Sequence, residues 1–172
     1  IADSEIVKAI ESDLLVSRIV SAHLMDVECD DGIVTLRGSA YNLLERDLAV
    51  SISRTFRGVR SVVDLIEIRP VQISDKQLLE NVRTALATDP ATELYELNVK
   101  VDNGIVTLKG IVDSVAEKEL AGSVAKGVAG AKGVENDINV YFAAKRADGE
   151  LEQEIEKSLE YNPYLYSGLI EV

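Results

Sequence analysis

The octapeptide DGIVTLRG occupies residues 31–38, and it returns as NGIVTLKG at residues 103–110. When residues 27–38 are aligned with residues 99–110, eight of twelve positions are identical at a constant offset of 72 residues. Self-similarity at a fixed period is typical of a protein built from repeated structural units. The sequence therefore predicts two copies of one fold within a chain of 172 residues.

Each octapeptide predicts the turn and second strand of a β-hairpin. It opens with Asp-Gly or Asn-Gly, which are favoured in type I′ turns because both central residues of that turn need a positive φ. Before the first turn, Val27 and Cys29 alternate with acidic residues, and this period of two indicates a strand with one buried face. By this pattern the second strand ends at the last glycine of the octapeptide, Gly38 or Gly110.

Amphipathic helices are predicted before and after each hairpin. Apolar residues at helical spacing precede the hairpins, and they are Ile6, Val7, Ile10 and Leu14 in the first copy and Leu78, Leu79, Val82 and Leu86 in the second. The spacing of Asn42 to Glu45 and of Ser114 to Glu117 predicts a capping box at the start of each second helix. The apolar face of these second helices comprises Leu44, Leu48, Ile52 and Phe56, and Leu120, Val124 and Val128.

Each repeat is completed by a glycine and a closing strand. Gly58 and Gly130 stand where the left-handed C-cap of the second helix is expected. The closing strands carry Val62, Leu65, Ile66 and Ile68, and Val134, Ile138 and Val140. The predicted fold class is α+β, with tandem α-β-β-α-β two-layer sandwiches in which two helices cover one face of a small sheet.

The repeats divide the chain into three predicted domains. Residues 1–71 and 73–143 form two complete repeats, and residues 147–172 form a partial third repeat with only its first helix and first strand. The third copy is indicated by apolar residues at an offset of 73, where Leu151, Ile155 and Leu159 match the first helix of the second repeat.

Composition excludes several classes of function. The net charge is −12, from 18 basic and 30 acidic residues, which disfavours nucleic-acid binding because that needs a basic surface. A single histidine and a single cysteine exclude an intrachain disulfide and a Cys-rich zinc site. The chain begins at Ile1 without a methionine or a signal peptide, so we expect a processed protein or a fragment.

Four further sequence features can each be explained by a structural role or by a functional role. His23 is interpreted as a connector residue rather than a ligand or base, and Cys29 as a small buried hydrophobe rather than a redox or lipidated thiol. The residues around the first hairpin turn are acidic, which favours turn chemistry over a weak cation site; they are Asp26, Glu28, Asp30 and Asp31. Residues 130–133 have a GxxG form, which a helix C-cap explains better than nucleotide binding. We therefore predict no catalytic residue, cofactor or metal.

The repeat resembles the BON domain. The resemblance rests on the motif D-G-x-V-x-L-x-G after an amphipathic helix and on the glycine-valine pairs that precede the closing strand. It implies a non-enzymatic protein of the bacterial envelope, located in the periplasm and related to osmotic stress. It also implies association with membrane phospholipid or, as the alternative, a chaperone-like module that binds protein clients.

Two groups of residues are candidate binding sites. Lys118, Lys126 and Lys132 make the second repeat the least acidic and are a candidate basic patch for lipid headgroups, although a solvated mixed surface also explains them. The richest aromatic stretch comprises Tyr161, Tyr164, Leu165, Tyr166 and Leu169. It belongs either to the core of the interrupted third repeat or to a partner-binding surface, and we expect self-association of the chain through this segment.

Overall fold

The structure is a computed structural model, and it describes residues 1–69, 71–89, 92, 96–141 and 153. The chain divides into one compact unit, Ile1–Val140, and a second unit, Tyr141–Val172. The partial third repeat and the candidate residues Tyr161, Tyr164, Leu165, Tyr166 and Leu169 lie outside the described residues.

The predicted element order is found in both repeats. The first repeat contains α1 (Asp3–Val16), a short 3-10 turn (Ala22–Leu24), β1 (Met25–Asp30), β2 (Ile33–Ala40), α2 (Leu43–Arg54) and β3 (Ser61–Ile68). The second contains α3 (Asp75–Thr88), β4 (Asn98–Asp102), β5 (Ile105–Val112), α4 (Val115–Lys126) and β6 (Gly133–Val140). The α+β class with α-β-β-α-β units is thus confirmed for the two complete repeats.

Each repeat has its own three-stranded sheet. In the first sheet β2 is central, antiparallel to β1 and parallel to β3, and the second sheet has the same order with β5 at its centre. The turn that joins the hairpin strands has a positive φ at both central residues, 48° and 74° for Asp31 and Gly32 and 52° and 83° for Asn103 and Gly104. The predicted type I′ chemistry therefore sets the register of both sheets.

The residues predicted from helical periodicity form the two cores. Ile6, Ile10 and Leu14 are buried in the first repeat and Leu78, Val82 and Leu86 in the second. They pack on alternate residues of the central strands, Val34 and Leu36, and Val106 and Leu108. Among the described residues, helices cover only this face of each sheet, and we call the opposite side the open face.

The prediction that Gly38 and Gly110 end their strands is wrong. β2 continues to Ala40 and β5 to Val112. Gly38 has a φ of +114°, and a Cβ there would collide with the carbonyl oxygen of Leu24. The glycine therefore permits a close approach of two backbones inside the strand, a role that the sequence pattern does not separate from termination.

The glycines after the second helices are also displaced from their predicted place. α2 ends at Arg54 and α4 at Lys126, so Gly58 and Gly130 lie four residues further on, with φ of +101° and +98°. They have the predicted left-handed backbone, but in the turn that leads to the closing strand and not at the helix C-cap. The predicted capping box is complete only for Ser114.

The two repeats differ at one matched position in their closing strands. Asn136 in β6 donates its side-chain amide to the carbonyl oxygen of Lys118 at 2.7 Å, and a Cβ at Gly122 would lie 2.7 Å from that amide nitrogen. At the equivalent position in β3, Asp64 lies 3.6 Å from the guanidinium of Arg46. The same place between strand and helix is therefore filled by an amide hydrogen bond in one repeat and by an ion pair in the other.

Candidate interaction surfaces

A carboxylate at the start of the first helix holds the hairpin turn in each repeat. The Asp3 carboxylate accepts the backbone N–H groups of Asp31 and Gly32 at 2.9 and 3.0 Å. Asp75 accepts those of Asn103 and Gly104 at 2.8 and 2.9 Å. The hydrogen bond from Gly32 is the main reason that the pKa of Asp3 lies below its ordinary value.

This clamp was not predicted from the sequence, although a signal for it exists. Asp3 and Asp75 are separated by the repeat offset of 72, as are the turns that they bind. Two such carboxylates are matched in the printed sequence, but an acidic residue in the first turn of a helix is already explained by the helix dipole. The clamp could therefore be recognised only in the structure.

Cys29 lies partly buried beside this clamp. Its thiol packs against the core of the first repeat and donates to the Asp3 carboxylate at 3.3 Å. Burial and the neighbouring Asp3 together raise the pKa of the Cys29 thiol. A raised pKa keeps the group protonated, and this suits a packing role rather than a reactive thiolate.

The acidic residues of the first hairpin do not converge. Among the described residues, no group of three or more histidine, cysteine or acidic side chains is placed to hold a metal ion. His23 is exposed in the 3-10 turn, and Asp31 is in the hairpin turn itself. Asp26 and Glu28 lie on the open face of the sheet.

The three candidate lysines occupy separate places. Lys118 and Lys126 lie on α4, eight residues apart, which is about 12 Å along a helix axis. Lys132 is exposed in the turn before β6, with its aliphatic stem against Gly104. Lys126 is engaged by a carboxylate of the other repeat, because its Nζ lies 2.7 Å from Asp47 Oδ2.

Lys126 and Asp47 belong to an interface between the two repeats. Partial burial opposes the ionised form of Asp47, but hydrogen bonds from Lys126 and Arg46 outweigh it and hold the pKa of Asp47 below its ordinary value. Beside the pair, Leu44 approaches Gly127, with its Cδ2 3.5 Å from the place of a Cβ. Leu44 was predicted to line the core of its own repeat, and it contacts the neighbouring repeat instead.

Leu43 makes the strongest connection between the repeats. It belongs to α2 of the first repeat, yet it is only 4% exposed and packs in the core of the second repeat. Ile68 at the end of β3 contacts both cores. Periodicity within α2 predicts which side chains are apolar, but it does not predict which repeat they cover.

A group of exposed apolar side chains marks one end of the first repeat. Leu15, Val16 and Ile19 are 72%, 79% and 53% exposed, and we call them the α1 tip. The helix ends at Val16, and the hydroxyl of Ser17 accepts the N–H groups of Ile19 and Val20 at 3.4 and 3.3 Å. A tight turn therefore keeps Ile19 close to the end of the helix.

Two arginines and a tyrosine lie at the same end of the repeat. Arg18 is exposed within the α1 tip, and the guanidinium of Arg69 stacks over the ring of Tyr41 with 5.0 Å to the centroid. The buried carboxylate of Glu45 joins these two parts, because it accepts the N–H groups of Ser21 and Tyr41.

The end of the first helix is less apolar in the described part of the second repeat. The positions that match Leu15 and Val16 at the repeat offset are Ala87 and Thr88. Since both repeats have the same fold, the fold itself does not require exposed leucine and valine at the end of the first helix. Large apolar side chains at these two positions are therefore a particular property of the first repeat.

The open face of the first sheet carries a second exposed apolar group. Ile33, Val63 and Leu65 are 39–47% exposed and lie on β2 and β3, on the side away from the helices. Ile33 is joined across the sheet to Asp30, and Leu65 lies beside Arg37. Apolar side chains on this face are thus surrounded by charged ones.

Two α+β repeats of the same topology, joined by a shared apolar contact, define a tandem-repeat protein. The model of the BON domain matches residues 2–70 and 74–141, and the chain belongs to the BON-domain family. It is 28% identical over 143 residues to the osmotically-inducible protein Y of Escherichia coli strain K12, covering 79% of this chain and 71% of that protein.

Two solved structures of CdsD, a structural protein of the Type III secretion system of Chlamydia trachomatis, are also similar. The C-terminal domain of CdsD is 14% identical with a TM-score of 0.34, covering 82% of this chain and 68% of that one. The other is 11% identical with a TM-score of 0.30, covering 88% and 98%. None of the helices within the described ranges has the length and hydropathy to cross a bilayer.

Proposed function

We propose that the protein is a non-enzymatic component of the bacterial envelope that associates with phospholipid surfaces through the α1 tip. The observation that carries this proposal is the exposure of Leu15, Val16 and Ile19 around Arg18. Full burial of one such apolar side chain contributes about 1.5–3 kcal/mol, so three of them give a reversible attachment to an interface.

The neighbouring polar groups suit the headgroup region. An arginine side chain keeps its guanidinium at the phosphate level while its stem lies along apolar surface. Tyr41 is an amphipathic ring of the kind enriched at membrane interfaces, and it is held by Arg69. Since the net charge of the chain is −12, apolar insertion leads the association and attraction to anionic lipid does not.

We base the proposed cellular location on the similar protein from Escherichia coli. The similarity to the osmotically-inducible protein Y supports a periplasmic protein that acts in osmotic stress. The two BON repeats of the chain support a role without catalysis.

The experiment is co-sedimentation with liposomes of phosphatidylcholine alone and of phosphatidylcholine with phosphatidylglycerol. We expect binding to both, with little loss between low and physiological salt. The double change Leu15→Gln with Val16→Gln should reduce binding at least about tenfold, since a buried apolar side chain contributes that much. Ile111→Gln is the matched control, because Ile111 is 65% exposed on the second sheet.

The charged residues are separated by further variants. Arg18→Gln should weaken binding, whereas Arg57→Gln, an exposed arginine after the C-terminus of α2, should not. Lys118→Gln and Lys132→Gln test the predicted basic patch in the same assay. Binding that is lost with the lysines but kept with the tip variant would refute the α1 tip and support the basic patch.

A second proposed function is the binding of protein clients, as in a chaperone-like module. The observation that favours it is the open face of the first sheet, where Ile33, Val63 and Leu65 are exposed together. Suppression of aggregation of a reduced, unfolded client protein tests this function. The change Leu65→Lys should abolish the suppression and leave liposome binding intact.

A further inference from the structure

Two of the three apolar residues on the open face of the first sheet are replaced by charged residues in the second sheet. At the repeat offset, Val63 is replaced by Glu135 and Leu65 by Asp137. Glu135 accepts a hydrogen bond from Thr107 at 3.2 Å, and Asp137 lies 3.7 Å from Lys109. One fold therefore accommodates charged residues at these two positions, so the exposed valine and leucine serve something other than folding.

The open face of the first sheet is acidic around this apolar group. Asp26 and Asp30 lie on β1, and Glu67 lies on β3, all exposed on the same side as Leu65. Two exposed arginines lie on this side. Arg37 is 3.4 Å from Glu28 and opposite Asp26, and Arg69 donates to the Ser39 hydroxyl at 3.1 Å, beside Glu67. Four carboxylates against two arginines leave the described part of this face acidic, and it complements a partner with positive charge.

The β3 edge of this sheet is obstructed for a further strand. Arg69 donates its N–H to Ala40, which places the amides of odd-numbered β3 residues toward β2 and those of even-numbered residues toward the free edge. The outward N–H of Ile66 is accepted by Asp64 Oδ1 at 3.0 Å. A partner strand would have to displace that carboxylate in the middle of the edge.

We propose that the open face of the first sheet binds a protein segment that carries both cationic and apolar side chains. The inference rests on the second proposed function and names its partner chemistry. The segment lies across the face, with apolar side chains on Val63 and Leu65 and basic ones toward Asp26, Asp30 and Glu67. It does not extend the sheet at the β3 edge through backbone hydrogen bonds.

The probe is a fluorescent eight-residue peptide of alternating lysine and leucine, with a twin that has glutamate in place of lysine. Anisotropy is measured with the full chain at low and physiological salt. We expect the cationic peptide to bind at least tenfold more tightly than its twin. N-methylation of alternate backbone amides should leave that binding within twofold, because the peptide adds no strand.

The variant Val63→Glu with Leu65→Asp installs the residues of the second repeat. It makes the face more acidic, so an effect of charge alone would strengthen binding, whereas the proposal expects at least a tenfold loss. Ile111→Asp on the second sheet is the matched control and should change nothing. Circular dichroism of each variant shows that the fold is kept.

The outcomes separate the inference from the function on which it rests. If neither peptide binds and client aggregation is not suppressed, both the protein-binding function and the inference are wrong. If both peptides bind equally and the face variant abolishes both, the face binds proteins but the cationic partner is wrong. If cationic binding survives the face variant, or is lost on N-methylation, the placement across the open face is refuted.

Discussion

Lys126 Nζ lies 2.7 Å from Asp47 Oδ2, so the last residue of α4 in the second repeat is paired with α2 of the first. Both side chains are more than a third exposed. A pair of this kind contributes little to stability by itself, but it orients the interface that Leu43 fills.

Removal of this ion pair should lower stability slightly and change its dependence on pH. Lys126→Met is expected to reduce the free energy of unfolding by up to about 1 kcal/mol. The pKa of Asp47 is depressed in the folded chain, so its contribution is present above the unfolded value of about 3.9 and is lost as pH falls through the lower folded value. Urea denaturation at several pH values measures both effects.

The matched control for that experiment is Lys109→Met, which breaks a more exposed pair with Asp137 inside one repeat. It should change the unfolding free energy less. An equal loss for both variants would contradict a special role for the contact between repeats.

Truncation of Leu43 should destabilise the second repeat although the residue belongs to the first. Leu43→Ala is expected to cost about 2–4 kcal/mol, since the buried side chain leaves a cavity in a packed core. Leu15→Ala, at an exposed position of α1, should cost less than about 0.5 kcal/mol. Hydrogen exchange of α3 and α4 amides locates the loss, and protection unchanged there would show that Leu43 serves only its own repeat.

The two turn glycines should respond differently to alanine. At Gly104 a Cβ would meet the flexible Lys132 stem at 3.0 Å, so Gly104→Ala should cost about 1 kcal/mol from the left-handed backbone. At Gly32 a Cβ would lie 2.6 Å from the carbonyl oxygen of Gly58, which is backbone and cannot turn away. Gly32→Ala should therefore cost clearly more in thermal denaturation, and equal costs would contradict this packing.

The thiol of Cys29 should react slowly and gain reactivity when Asp3 is neutralised. Burial and the Asp3 carboxylate raise the thiol pKa, so Asp3→Asn should shift the midpoint of the pH–rate profile for alkylation to lower pH. Asp30→Asn is the control and should shift it less, because Asp30 acts only at a distance. A uniform rate increase without a shifted midpoint would indicate local opening instead.

The repeat and the period of its apolar residues were sufficient to predict the architecture. The first helices, the type I′ turns and the central strands are confirmed. Each of them depends on residues close together in the sequence, such as the helical spacing around Ile10 or the turn residue Gly32. The end of β2 was wrong, since Gly38 is required by the approach of Leu24, which is distant along the chain.

The candidate interaction surfaces were harder to predict from the sequence than the fold. Lys126 is a cation in the sequence, but its partner Asp47 is 79 residues away and was not paired with it. The α1 tip was not predicted, because Leu15 and Val16 continue an apolar helix and only their burial distinguishes core from surface. Comparison with Ala87 and Thr88 at the repeat offset was the available signal.

The difference between Asp64 and Asn136 has a consequence for how the chain sorts its own segments during folding. The central strands β2 and β5 share five of their eight residues and pair with their closing strands in the same register, so either closing strand has a matching register on either of them. In the wrong repeat, the Asp64 carboxylate would face the Lys118 carbonyl oxygen, while Asn136 would meet Val50 where its own repeat has Gly122. Charge repulsion disfavours β3 in the second repeat, and steric overlap disfavours β6 in the first. These two side chains therefore favour pairing of each closing strand within its own repeat.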